Sequence, residues 1–337
     1  MNQTLVNRTK RSHNLQLMKY IAAIMVICSH AFPIVTGNMN TEPLYRLTNG
    51  QLSMGGFAVA VFFLSAGYFI PSSMEKKKTA KAFFKARCMR IFPLLWIVVI
   101  VSILMGAVIS TDDMSSYWCD RRTWFYLLNG LLIPVHNLPG VFENVPYLPT
   151  VNGALWTLSV EFLCYIVCFL LYKMRFLKEK WYFLYMIPAS ALAGMLLLVE
   201  KQYPFFMQVY RPCFLFVIGM GYWIYREKIK LDSKLFIPGL ILFGLSLIFH
   251  VANIGMFILF PYLCMFLWFG HKQISDRIDF LGDMSYGIYL CGFPIQQLLV
   301  EFFKDRVNLS LQMLLACCIA SLMGYLLLKI ENNLKTI

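Results

Sequence analysis

The chain has 337 residues, 59% of them hydrophobic and 14% charged, with mean hydropathy +0.64 and a formal net charge of +13. A soluble domain carries roughly a quarter charged residues, so too few charges are present here to solvate a globular surface. The apolar residues fall in blocks of about 20, the length that crosses a ~30 Å hydrocarbon core; alternating barrel strands of about ten residues are absent, which leaves an all-α, polytopic bundle of transmembrane helices.

In chain order, the first block follows Arg8, Lys10 and Arg11 and superficially resembles a signal peptide. Its apolar stretch, Leu15 to Val35, is too long for that, carries a histidine and lacks a small-x-small cleavage site, so it reads as a retained first helix. The pattern predicts ten helices, near 15–36, 52–70, 91–110, 154–172, 181–199, 207–225, 235–250, 253–270, 280–302 and 309–329. A shorter apolar piece, Trp124 to Val135, is either re-entrant or an outer surface helix. It lies in the longest extramembrane stretch, about 110–153. No soluble domain and no repeat is visible, and 1–337 reads as a single integral-membrane domain.

Lys and Arg favour cytoplasmic loops. With the N-terminus inside, 23 of the 30 basic residues fall on the cytoplasmic side and 7 outside. The split predicts that both termini are cytoplasmic, as expected of a multi-pass protein of the cell (plasma or inner) membrane. The positive charge then serves orientation and contact with anionic membrane lipids. Nucleic acid is not an expected partner, because the charge sits in short loops. The ten cysteines form no CxxC pair and indicate neither a disulfide framework nor a metal site.

Four places carry candidate chemistry. His30 alone among five histidines sits well inside a span, eleven residues or roughly 16 Å after Lys19. An ionisable group at that depth faces the bundle interior or a wet cavity. It suits either a hydrogen bond to a neighbouring helix or general base work near neutral pH. Arg87 and Arg90, in the basic loop after the second helix, are one helical turn apart at the cytoplasmic mouth of the third. They form a phosphate clamp or a topology signal. Glu161 lies about seven residues inside the fourth helix, where a carboxylate wants a partner: an imidazole to orient, or a structural ion pair. Leu281 to Ile295 carries Asp283 and Ser285 at a helix start, with Tyr286, Tyr289 and Pro294 suited to a kinked, cavity-lining helix.

These stretches, in this order, resemble the membrane-bound acyltransferase-3 family. The first helix has a basic residue, Lys19, eleven positions before His30. Val61-Phe-Phe-Leu-Ser-Ala-Gly-Tyr68 is similar to the family's FF-x-x-SG-[FY] stretch. Arg87-Cys-Met-Arg90-Ile-Phe-Pro matches R-x-x-R-I-x-P, Trp156-Thr-Leu-Ser-Val-Glu161 matches W-[ST]-L-x-x-E, and Leu281-Gly-Asp-Met-Ser-Tyr-Gly-Ile-Tyr-Leu resembles LG-x-x-SYGIYL. Three positions depart from the pattern. Lys19 replaces the usual arginine, Ala66 the usual serine, and Gly292 the histidine of a frequent Trp-His-Phe-Pro ending. Unlike some members, this chain shows no fused extracytoplasmic domain.

The resemblance implies an O-acyltransferase. It would move an acyl group, commonly acetyl, from cytoplasmic acyl-CoA to a hydroxyl of a sugar or polysaccharide acceptor in the cell envelope. It places His30 and Glu161 in catalysis and Lys19, Arg87 and Arg90 on the acyl-CoA phosphates; acyl-CoA is the co-substrate and no metal is expected. The rival reading from residues alone is a transporter or flippase of a lipid-linked glycan, against which stands the absence of an inverted repeat.

Overall fold

The computed structural model describes residues 12–77, 79–270, 272–303 and 308–336. Arg8, Lys10, Arg11, Lys78, His271, Lys304 and Arg306, which entered the sequence reading, lie outside them. Every predicted span is helical. The α-helices are α1 (His13–Thr36), α2 (Pro43–Leu47), α3 (Met54–Lys77), α4 (Ala80–Ile109), α5 (Met114–Cys119), α6 (Arg121–Phe125) and α7 (Trp156–Lys173). They continue with α8 (Glu179–Val199), α9 (Pro204–Ile224), α10 (Ser233–Ile248), α11 (Ala252–Ile258), α12 (Phe260–Met265), α13 (Asp279–Phe303) and α14 (Leu309–Thr336).

Six of these helices, α1, α3, α4, α7, α8 and α14, are long and apolar enough to cross a membrane. The predicted span 253–270 is broken: α11 and the helix after it are bent by 50°, and together they make a seventh candidate. Pro261 at the start of α12 supplies the cause, since it cannot donate a backbone hydrogen bond into the preceding turn. Helices α9 and α13 are as long but bury polar groups, Arg211 in the first and Gln296 and Gln297 in the second.

Two boundaries differ from the sequence reading in a way that matters. The basic stretch Lys81 to Arg90 is not a loop but the first three turns of α4, a helix of 30 residues. At the other end, α14 runs on to Thr336 and so carries Glu331 on helix rather than tail. Both extensions are amphipathic continuations of apolar helices, which hydropathy averaging truncates.

The chain forms two compact units. The first comprises residues up to Ala22, Pro43–Phe83 and Val160–Gly282; the second comprises Ala23–Glu42, Phe84–Ser159 and the chain from Asp283 onward. In the first, α3 crosses α9 with the backbones nearly touching. A Cβ built on Gly219 would stand 2.5 Å from the Leu64 carbonyl oxygen, and one on Gly67 would stand 2.9 Å from the Phe216 carbonyl carbon. Gly67 is the glycine of the FF-x-x-SG-like stretch, so that motif has a packing reason. Small residues let membrane helices approach until their backbones meet. In the second unit, α13 packs on α14, where a Cβ on Gly324 would fall 2.6 Å from Ile288 Cγ1.

Candidate functional site

His30 belongs to the second unit, in the last two turns of α1. Its imidazole is half-buried and meets the Phe293 ring edge-on, with centroids 5.1 Å apart and planes at 72°. Among the described residues, nothing hydrogen-bonds to its ring nitrogens. A histidine used as interhelical glue would have such a partner, because an unsatisfied buried polar group is costly.

The neighbouring backbone is pinned by a web of neutral polar groups. Gln296, one turn beyond Phe293 on α13, donates to the Ile27 carbonyl of α1 at 2.8 Å. Asn152 donates to the Leu290 carbonyl at 2.9 Å and accepts from the Ala154 N–H at 3.1 Å. Tyr289 donates to the Ala154 carbonyl at 2.8 Å and pairs with the Thr157 hydroxyl at 2.5 Å. Gln297 donates to the carbonyls of Leu148 and Thr150 at 3.0 and 2.9 Å. Hence α1, α13 and the entry to α7 are held to one another by side-chain amides and hydroxyls, and the helix carrying His30 has a fixed neighbour. Tyr289 was legible in the sequence as a motif tyrosine. Asn152, Gln296 and Gln297 were passed over, although amides inside apolar runs are the signal that would have found them.

Gly292, at the place of the frequent family histidine, has a plain steric account. A Cβ there would lie 2.7 Å from Ile27 Cγ1. In this chain α13 approaches α1 too closely at that level to admit a histidine.

Arg87 and Arg90 also belong to the second unit, one turn apart on α4 as predicted. Arg90 Nη1 stands 3.8 Å from Glu331 Oε1, and the Glu331 side chain is only 2% exposed. The sequence reading missed this carboxylate because it lies beyond the apolar part of the last helix. An arginine beside a buried carboxylate is held in one orientation, whereas its remaining donors stay available to a ligand.

Lys19 and Glu161 lie in the first unit. Lys19 is half-buried on the second turn of α1. That end of the helix is docked within its unit by Ser12 donating to the Trp268 carbonyl at 2.6 Å and by His13 Nδ1 with Asp279 Oδ1 at 2.8 Å. Glu161 accepts a hydrogen bond from Tyr165, one turn further along α7.

The first unit contains one more buried charge. Arg211, one of the seven basic residues that the charge count places outside, is inside α9 and 6% exposed. Its Nε donates to Asn253 Oδ1 at 2.6 Å and its Nη2 to the Gln51 carbonyl at 2.5 Å, with Glu200 at 3.9 Å; Asn253 donates in turn to Glu200. Burial raises the Glu200 carboxyl above the usual range, against the opposing pull of Arg211 and Asn253.

A family model described as Acyltransferase domain matches residues 12–329. The chain is 23% identical over 307 residues to an "O-acetyl transferase" of Shigella phage Sf6, covering 86% of each. It is also 23% identical over 321 residues to "Nodulation protein 10" of Rhizobium leguminosarum bv. viciae, covering 86% of this chain and 84% of that one. No solved structure matches it at a significant level.

Proposed function

This chain belongs to the membrane-bound acyltransferase-3 family, and from that premise we propose that it transfers an acyl group, acetyl first among them, from acyl-CoA to a hydroxyl of an envelope sugar, either lipid-linked or polymeric. It is an acyltransferase and a multi-pass membrane protein; the family sets aside the transporter reading. The relative named as an O-acetyl transferase supports the acetyl group and the oxygen acceptor.

The observation that carries the mechanism is the half-buried His30 imidazole with no hydrogen-bond partner among the described residues. We assign it the general base. It takes the proton of the acceptor hydroxyl, and the oxygen attacks the thioester carbonyl. The C–S bond then breaks, and the proton held on the imidazole leaves with the thiol of CoA. Phe293, edge-on to the ring, restricts its rotation. Glu161 takes the carboxylate role that the Trp156–Glu161 motif implies. Lys19, Arg87 and Arg90 take the donor's phosphates, as three cations on what the charge count makes the cytoplasmic side, with both termini there. The site of action is the cell membrane and the acceptor lies on its outer side.

The test is acyl transfer from labelled acyl-CoA to isolated envelope glycan by protein in vesicles. His30→Ala is expected to lower the rate by about 10²- to 10⁴-fold, the usual worth of a general base, with the amount of membrane-inserted protein unchanged. Acylation at the native rate by that variant would remove His30 from the mechanism.

A further inference from the structure

Residues 110–143 contain an apolar run whose place in the structure neither the charge count nor the proposed reaction explains. The twelve residues Trp124 to Val135 hold no Asp, Glu, Lys or Arg, although Asp112, Asp113, Asp120, Arg121 and Arg122 crowd just before them. Their level is read from α4, which lies in the same unit and is long and apolar enough to cross a membrane. Where α4 ends, Ser110 Oγ donates to the Pro139 carbonyl and the Thr111 N–H to the Gly140 carbonyl, both at 2.9 Å. Further down, Tyr117 Oη donates to the Ile103 carbonyl at 2.8 Å. Deeper still, Gly130 lies against the Trp96 indole so closely that a Cβ there would stand 2.6 Å from Trp96 Cε2. Ser110 to Trp96 is fourteen residues of helix, ~21 Å at 1.5 Å per residue, in a hydrocarbon core ~30 Å thick. The chain thus descends from Trp124 to Gly130 along α4 and climbs back to Pro139.

Such a course leaves non-helical backbone at membrane depth, which is tolerated only where its polar groups are satisfied inside the protein. At the turn these groups are paired. Asn129, 3% exposed, donates to the Tyr126 and Val135 carbonyls at 3.0 and 2.8 Å and accepts from the Val135 N–H at 3.0 Å. Leu132 takes the left-handed conformation, φ 63°, that turns the chain; its N–H donates to the Asn129 carbonyl at 3.0 Å, and its own carbonyl accepts from Ser159 Oγ at 2.5 Å. The side chains left outward are apolar: Trp124, Phe125, Leu131 and Ile133, each at least 52% exposed. On an aqueous loop these would be an exposed apolar patch; Leu131 and Ile133, beside Gly130 at the level of Trp96, meet lipid.

We propose that residues 124–135 form a re-entrant segment beside α4, with its outer face against lipid acyl chains and its turn held by Asn129. Two other occupants of that face, bulk water and an acceptor glycan, both require it to lie outside the hydrocarbon.

The test places a fluorescent non-canonical residue singly at position 131, at 133 and, as the aqueous control, at 115, in full-length protein reconstituted into vesicles containing lipids brominated at mid-chain. Bromolipid is expected to quench positions 131 and 133 at least twofold more than 115, with iodide in the water quenching only 115. Iodide quenching at 131 and 133 equal to that at 115, or quenching there only by bromines near the headgroup, overturns the proposal in favour of a surface segment. Asn129→Ala supplies the second reading: iodide reaches position 131 in that variant, while unchanged quenching removes Asn129 from the turn.

Discussion

Gly219→Ala tests the α3–α9 crossing, where the geometry sets the magnitude. The new Cβ would stand 2.5 Å from the Leu64 carbonyl oxygen and 3.1 Å from the Gly67 carbonyl carbon, against 3.4 Å for ordinary contact. Both partners are backbone, so no side chain can rotate away, and the helices must part by about 0.9 Å. A gap of that size forfeits roughly a quarter to a half of each contact's dispersion well along the crossing. Overpacking of a well-filled interior costs about 1–3 kcal/mol, and rigid backbone on both sides puts this case near the top. About 2–3 kcal/mol is a 30- to 150-fold change in the folded fraction and a fall of roughly 3–4 °C in midpoint for a chain of this length. The assay is the thermal aggregation midpoint of detergent-solubilised protein, followed by fluorescence size exclusion. Gly67→Ala meets the same crossing from the other side and is expected to cost as much. Gly194→Ala is the control: it is helical too, and a Cβ there has nothing within 4 Å. Equal midpoints for Gly194→Ala and Gly219→Ala would refute the reasoning.

Arg211→Ala strands the Glu200 carboxylate half-buried, and breaking such a pair typically costs about 3–5 kcal/mol; adding Glu200→Gln is expected to recover part of the lost midpoint, and no recovery would show that the arginine acts through packing alone. Glu200 also has a pH signature. Its carboxyl is raised in the folded state, so the native protein binds the proton more tightly and this group's contribution to stability falls as pH rises from the ordinary carboxylate range through the raised value. The midpoint of Glu200→Gln, compared with the native chain between pH 4 and 7, is expected to lack that decline. Arg87→Ala is expected to raise the KM for acyl-CoA about tenfold, near the worth of one charge-assisted hydrogen bond. Arg90→Ala, which removes the Arg90 partner of the buried Glu331 carboxylate, is expected to lower the thermal midpoint; a midpoint equal to the native chain's would contradict the Glu331 pairing.

Much of this protein was legible along the chain. Each apolar block became helical, one of them broken at Pro261, because a bilayer leaves a hydrophobic run of 20 residues few other ways to satisfy its backbone. The five motifs identified the family for the same local reason: a short pattern such as Arg87-x-x-Arg90 or Trp156 to Glu161 presents its residues on one helix, whatever lies around it. His30 stood out because a histidine in the middle of an apolar span needs explaining wherever it occurs.

Tertiary structure alone decided the rest, and always where partners are distant in sequence. Gly67 and Gly219 are 152 positions apart, and only their meeting explains why neither bears a side chain. Glu331 turned from a tail residue into the partner of Arg90 because α14 outran its apolar core. Gly292 in place of a histidine made sense once Ile27 was found against it. The run from Trp124 to Val135, equally consistent with a surface helix or a re-entrant turn when read along the chain, acquired a depth only when Gly130 was seated on Trp96. Hydropathy reports how much a segment gains by leaving water; which neighbour it leaves water for is a property of the packed molecule.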